Sequence, residues 1–316
     1  MKKLFKTILL ILISVIHPLA FAVEQKKLTV ILDWFINPNH APLFVAEQEG
    51  FFKEQGIKVQ FISPANTSSG EKMVAVNKAD IVVTYQPKLM QLVNQGLPLI
   101  RFATLINKPL NCFVVLDDGK VKSLKGLKGK RIGLCTQSVD GESTFSTMLR
   151  SVNLTMKDIK PIYVNFNLIS SLLTNRIDGF SGGMRNVEPL AIELIGKRTK
   201  LFYPEEHGFP EYDELIFVTN KDKINSPILI KFVRALKKGM LYLKNNPKKS
   251  WQKFSTKHSE LNNTLNKKIW FVTLKYFATD PAKLDRERYQ RLTEFLWKKE
   301  LIKSIPKLKD YAHELK

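Results

Sequence analysis

The chain has 316 residues, 44% hydrophobic and 25% charged, which excludes a disordered or low-complexity protein and leaves room for two domains of ordinary size. Lys and Arg number 50 against 29 Asp and Glu, for a net charge of +21. The excess lies towards the C-terminus, where Lys221 to Lys316 hold 24 basic and 9 acidic residues; they are dispersed along amphipathic runs, which reads as a solvated helical surface and, with export, argues against a nucleic-acid partner.

Met1 to Ala22 reads as a secretory signal. Lys2, Lys3 and Lys6 make a basic start, Ile8 to Ile16 is an apolar run, and Ala20-Phe21-Ala22 fits the small-x-small cleavage pattern. The run is shorter than the ~20 apolar residues of a membrane-spanning helix. Cleavage after Ala22 and a soluble periplasmic protein, monomeric and with no lipid anchor, are expected. Export permits a disulfide between the two cysteines, Cys112 and Cys135. Pairing needs Cα atoms within ~7 Å, which spacing alone does not decide. Without CxxC spacing, and with five scattered His, no metal site is expected.

Beyond the leader, strands and helices alternate. Leu28–Leu32 reads as a strand, Pro42–Gln55 as a helix ended by Gly56, and Lys58–Ile62 as a strand. A loop follows over Ser63–Gly70, then helix Glu71–Lys78, buried strand Ile81–Thr84, helix Tyr85–Asn94 and strand Leu99–Ile106. A second set starts after Asn111: strand Val114–Leu116, a helical turn Val121–Leu127, strand Arg131–Leu134, helix Ser143–Ser151, strand Ile162–Asn165, helix Leu168–Arg176, strand Ile177–Phe180 and helix Val187–Ile195. Strand Glu214–Thr219 returns the chain to the first set. Helices follow at Pro227–Asn245, Pro247–Lys257, Lys267–Tyr276 and Arg286–Lys299. The pattern predicts an α/β protein of two lobes, each a doubly wound parallel sheet. Lobe 1 comprises residues 23–111 and 217–316, and lobe 2 residues 112–216. Two adjacent crossovers predict a ligand cleft between the lobes and a hinge that closes it.

No catalytic signature stands out: there is no G-x-S-x-G, P-loop or G-x-G-x-x-G. The candidates for the cleft are strand-end loops, where open α/β sheets bind ligands. The first is Asp33 to His40. Trp34 offers a π face for a planar ring, or packs in the core; Asn39 offers an amide; His40 contacts ligand or caps the helix. Tyr85, directly after a buried strand, could form the other side of an aromatic sandwich. Ser138, in Ser138-Val139-Asp140-Gly141-Glu142, opens a helix and could hold a polar group or be an ordinary cap. Gly182 and Asn186 lie in the glycine-rich run after the last strand of the second set. Glu188 beyond them could accept from an aminopyrimidine edge and repel an anion, or could complement the helix dipole.

These residues resemble a known family. Leu32-Asp33-Trp34-Phe35, Asn37-Pro38-Asn39-His40, Gly50-Phe51-Phe52, Ala79-Asp80-Ile81, Leu127-Lys128-Gly129-Lys130-Arg131-Ile132-Gly133 and Asn186-Val187-Glu188 look like the thiamine-pyrimidine precursor proteins, over roughly Leu28 to Thr219. Leu-Lys-Gly-Lys is shared with many periplasmic binding proteins, sulfonate binders among them. The resemblance implies the type II periplasmic-binding-protein fold, a role as substrate-binding protein of an ABC importer, a permease as membrane partner and a small pyrimidine as ligand. It places Trp34, Asn39, His40, Tyr85 and Glu188 in the cleft. The family also holds pyrimidine synthases that use pyridoxal phosphate and consume a histidine. Thr84 and Lys88 stand where those enzymes carry a Lys and a His, and Gly208 to Asp213 lacks their cysteine cluster. The expectation is therefore a binding protein without cofactor, the synthase or an alkanesulfonate-type binder being the alternatives.

Overall fold

The computed structural model describes residues 25–64, 69–135, 139–165 and 167–315; the leader and Ser138 lie outside the described residues. In chain order, β1 (Lys26–Ile31) leads through a 3-10 turn at Pro38–His40 into α1 (Ala41–Gln48) and α2 (Phe51–Glu54), then β2 (Ile57–Ile62), α3 (Ser69–Ala75), β3 (Ile81–Thr84), α4 (Gln86–Asn94) and β4 (Leu99–Ile106). The next set is β5 (Asn111–Leu116), β6 (Arg131–Leu134), α5 (Val139–Arg150), β7 (Lys160–Tyr163), α6 (Leu168–Leu173), β8 (Gly179–Met184), α7 (Glu188–Leu194) and β9 (Thr199–Phe202). β10 (Leu215–Asn220) returns the chain to the first sheet, and α8 (Pro227–Asn245), α9 (Pro247–Lys257), α10 (Thr264–Thr273) and α11 (Arg286–Lys298) follow.

Two five-stranded sheets result, ordered β2-β1-β3-β10-β4 and β7-β6-β8-β5-β9. β2-β1-β3 and β7-β6-β8 are parallel, as helical crossovers require, but β10 and β5 run antiparallel to both their neighbours. The sheets are therefore mixed where the sequence predicted parallel ones: the strands that carry the chain between sheets arrive without a helical crossover on their own sheet. The helix expected over Pro42–Gln55 is broken at Gly50, whose φ of 78° is left-handed and carries no Cβ penalty in glycine. β9 was not predicted, because Thr-Lys-Leu-Phe puts a lysine in an edge strand that pairs only with β5.

Period-two alternation covers both faces of each sheet. On β1 and β3, Leu28, Val30, Ile81 and Val83 pack under α8 with Phe232 and Leu236, while Ile31 and Val82 pack on the other face with Tyr289 and Leu292. Each such fully buried side chain stabilises the fold by roughly 1.5–3 kcal/mol. In the second sheet Cys112 opposes Gly183 and Leu134 opposes Ser181, on opposite sides of β8. Strands two apart lie about 9.5 Å from one another, beyond disulfide reach, and both thiols are free. The C-terminal lysines fasten helices together: Lys238 meets Glu54, Lys253 Glu49 and Lys257 Glu47 at 2.7 to 2.8 Å. Such exposed pairs contribute at most about 1 kcal/mol each. Among the described residues no helix is long and apolar enough to cross a membrane.

α8 seats on α1 at a glycine. A Cβ at Gly239 would lie 2.6 Å from the Pro42 carbonyl oxygen and 2.8 Å from the Ala46 Cβ. In an open helix Gly→Ala gains up to about 1 kcal/mol, but here backbone must shift. Gly239→Ala is expected to destabilise by a net 1–3 kcal/mol or so, measured by urea unfolding; a stabilised variant would mean that the α1–α8 contact yields at little cost.

Candidate functional site

The loop after β1 is organised by one carboxylate. The Asp33 side chain is 5% exposed, and its two oxygens are met from different directions. Oδ1 lies 2.8 Å from His40 Nε2, and Oδ2 accepts from the Tyr85 hydroxyl at 2.8 Å. The His40 ring is fully buried, and its Nδ1 accepts from the Asn37 N–H at 3.4 Å. That contact sets the proton on Nε2, aimed at Asp33. The Asn37 side chain accepts from the Asn39 N–H at 2.8 Å and caps the 3-10 turn. Both His40 nitrogens are thus engaged within the loop, which favours the capping reading of His40 over direct ligand contact.

Trp34 is half-buried and lies outside the hydrophobic core, against Phe35 at 6.3 Å in an edge-on arrangement; Phe35 itself is 56% exposed. Half-burial distinguishes Trp34 from Trp270, which is fully buried in the core. Tyr85 extends from the end of β3. Its phenol is pushed well above the usual range, first by burial and then by the Asp33 charge, with Glu214 and Cys135 adding to it.

Asn39 and Asn186, read from sequence as ligand contacts, are buried and bonded to each other. Asn186 Nδ2 donates to Asn39 Oδ1 and to Thr273 Oγ1, both at 2.7 Å. Thr273 also donates to the Ile269 carbonyl in α10. Three distant segments meet there, and the Asn186 Oδ1 is buried without a hydrogen-bond partner. Gly182 adopts a φ of 89° beside Cys135, 3.7 Å from where a Cβ would stand. Glu188 begins α7 and its Oε2 accepts from the Met184 N–H at 2.6 Å. Desolvation pushes its carboxyl up to about 7, against the lowering effect of backbone hydrogen bonds. Both readings of Glu188 keep support: a first-turn helix residue, held near the cleft.

Three groups that the motifs did not single out as ligand contacts complete the first-sheet wall. Glu71 Oε1 takes Lys88 Nζ at 2.7 Å and the Thr84 hydroxyl at 2.5 Å. Behind the cleft, Glu214 at the head of β10 accepts from the Leu110 and Asn111 N–H groups at 2.5 and 3.0 Å. One carboxylate so ties the two crossover segments together. Arg185 adds a bond to the Asn111 carbonyl at 3.1 Å and pairs with Glu205. No group of three or more His, Cys, Asp or Glu among the described residues could hold a metal.

Residues 37–250 match the family described as NMT1/THI5 like. A protein named for thiamine biosynthesis in Haemophilus influenzae is 41% identical over 292 residues, 92% of this chain and 93% of its own. The formylaminopyrimidine-binding protein of Halalkalibacterium halodurans is 28% identical over 235 residues, 74% of this chain and 71% of its own. The 4-amino-5-hydroxymethyl-2-methylpyrimidine phosphate synthase of Uromyces fabae is 24% identical over 282 residues, 85% of this chain and 82% of its own. Among solved structures, the alkanesulfonate-binding protein SsuA from Xanthomonas axonopodis pv. citri, bound to MOPS, superposes with a TM-score of 0.67 at 16% identity, over 90% of this chain and 96% of its own. At that identity the likeness establishes the fold: α/β, two-lobed and of the periplasmic-binding-protein type.

Burial of Glu188 makes its protonation readable. A folded-state value of about 7, above the ordinary 4.5, means that the neutral carboxyl is the better-tolerated form. Its contribution is complete below pH 4.5 and is lost as pH rises through about 7. Glu188→Gln, neutral at every pH, should therefore gain in stability relative to wild type over that window and show a constant difference below it. Thermal unfolding of both proteins between pH 4 and 8 measures this. Parallel curves would put the carboxylate in solvent.

Proposed function

The chain belongs to the NMT1/THI5-like family, and from that premise we propose that it is an exported substrate-binding protein. It holds a neutral thiamine-precursor aminopyrimidine between its lobes, residues 23–111 with 217–316 and residues 112–216, and delivers it to an ABC-transporter permease. The observation that carries the ligand class is the charge around the cleft. Asp33, Glu71 and Glu188 are carboxylates, and the nearby ammonium of Lys88 is balanced by Glu71. A sulfonate or phosphate entering there would lose its hydration without meeting an uncompensated cation. An aminopyrimidine brings N–H donors to the carboxylates and a flat ring to Trp34 and Tyr85. The name of the Halalkalibacterium relative supports the same class.

Synthases are also among the relatives, and two features favour binding over catalysis. Thr84, at the position where the resemblance puts the enzymes' Lys, presents a hydroxyl committed to Glu71, which forms no carbon–nitrogen double bond with an aldehyde cofactor. Lys88 is paired with Glu71 at 2.7 Å. Protein incubated with pyridoxal phosphate and iron should show no cofactor absorbance and lose no histidine; stoichiometric pyrimidine formation would make it an enzyme. N-terminal sequencing of the exported form should begin at Val23.

Calorimetry should show micromolar or tighter binding of an aminopyrimidine and none of an alkanesulfonate; tighter sulfonate binding would reject the ligand class. Aromatic stacking adds about 0.5–1.5 kcal/mol beyond area burial. Trp34→Ala is accordingly expected to weaken binding more than about tenfold while folding normally, and Trp34→Phe to retain much of it. Glu188→Gln, which exchanges one acceptor for a donor, should cost roughly 5- to 150-fold. If both variants bind as wild type does, the ligand lies elsewhere.

A further inference from the structure

We propose that Glu71, Thr84 and Lys88 form a subsite for one neutral, oxygen-bearing substituent of the ligand ring, a hydroxyl or a formyl carbonyl; this rests on the pyrimidine reading above. The three side chains come from α3, the end of β3 and the first turn of α4, and they converge on a single oxygen, Glu71 Oε1. The pair lines a cavity whose wall also includes Asp33, Tyr85, Gly70 and Pro64. Asp33 and Tyr85 are the same groups that organise the ring site, so a ring held against Tyr85 would have its substituent directed at the pair. Gly70 makes the arrangement possible. A Cβ there would meet Val82 at 2.9 Å and Ile31 at 3.1 Å, so only glycine lets α3 approach the sheet closely enough for Glu71 to reach Lys88.

Size and charge then select the substituent. The pocket leaves about 10 Å3 of room for the centre of a water-sized group, the scale of a hydroxyl or carbonyl oxygen. The side chains of Lys88 and Glu71 are 11% and 5% exposed, so the pair sits in surroundings of low polarity and its charges cancel. An ammonium is a strong donor even when paired, and a carboxylate a strong acceptor; together they serve an oxygen that accepts, donates or does both. A dianionic group would instead confront Glu71 and Asp33. A site built to bond an oxygen rejects analogues that lack it, because its own buried groups are then left unmet.

The test uses purified protein and four probes: 4-amino-5-hydroxymethyl-2-methylpyrimidine, the corresponding formylaminopyrimidine, the 4-amino-2,5-dimethyl analogue without the oxygen, and the phosphate ester of the first. Wild type should bind the tighter of the two oxygen-bearing probes at least about tenfold better than the dimethyl analogue and better than the phosphate ester. Whichever oxygen-bearing probe wins names the substituent. Lys88→Met leaves Glu71 buried and unpaired and is prone to misfold; Glu71→Gln with Lys88→Met removes both charges of the pair. In that double variant the oxygen preference should collapse to within about threefold while the dimethyl analogue keeps its affinity. A preserved preference in the double variant, equal binding of the dimethyl analogue by wild type, or tighter binding of the phosphate ester overturns the subsite and leaves the pyrimidine reading standing. Absence of binding by all four probes to folded wild type overturns both.

Discussion

A carboxylate taken out of water must be met by donors, and how Asp33 is met dictates the rest of the site. One oxygen takes the loop's own His40, the other takes Tyr85 from the neighbouring strand end. The first contact closes residues 33–40 on themselves and, through Asn37, winds the 3-10 turn. The turn in turn aims the Asn39 amide at Asn186, which belongs to the second sheet's side of the molecule, and Asn186 also holds Thr273 on α10. A single buried carboxylate just after β1 is thereby connected to an aromatic ring, a helix start, the opposite lobe and the C-terminal helices. The polar groups of the loop are correspondingly fixed, and the Tyr85 hydroxyl is fixed with them.

The crossover between the sheets uses the same device in a different place. Glu214 lies at the junction of the two crossovers and accepts from two successive backbone N–H groups on the other strand. Burial raises its carboxyl, while those N–H groups and the Tyr212 hydroxyl lower it. Asp213, one residue earlier, is bound on the first-sheet side by Thr104 and Arg288 at 2.9 and 2.7 Å. Adjacent carboxylates so anchor the crossover in opposite directions.

Much of this was legible from one sequence, and the reasons for success and failure are physical. α8 and α9 match their predicted bounds because amphipathic runs that each open on Pro leave little choice. β3 was visible because a strand covered on both faces is an unbroken apolar run. The break at Gly50 was missed because the flanking Phe51 and Phe52 continue the helical period across it. Strand-end loops pointed to Asp33, Trp34 and Tyr85 by general topology. They could not show that Asn39 and Asn186, 147 positions apart, would bond to each other. Nor could they show that Glu71 meets Lys88, since that depends on how closely α3 lies on β3, a distance set by the glycine before it.

The same limits explain why net charge misleads about the ligand. A chain at +21 looks like a collector of anions, yet the groups around the cleft are acidic on balance. The excess lysines lie on exposed helices far along the chain, and several hold α8 and α9 to α1 and α2. At physiological ionic strength charges farther than about 8 Å are screened, whereas Asp33 and Glu71 act within contact distance and under burial. The enclosed carboxylates therefore act only at contact distance, and the basic exterior governs how the protein meets large charged surfaces. A neutral ring is indifferent to that exterior field. The two properties can coexist because they operate over different distances on different objects.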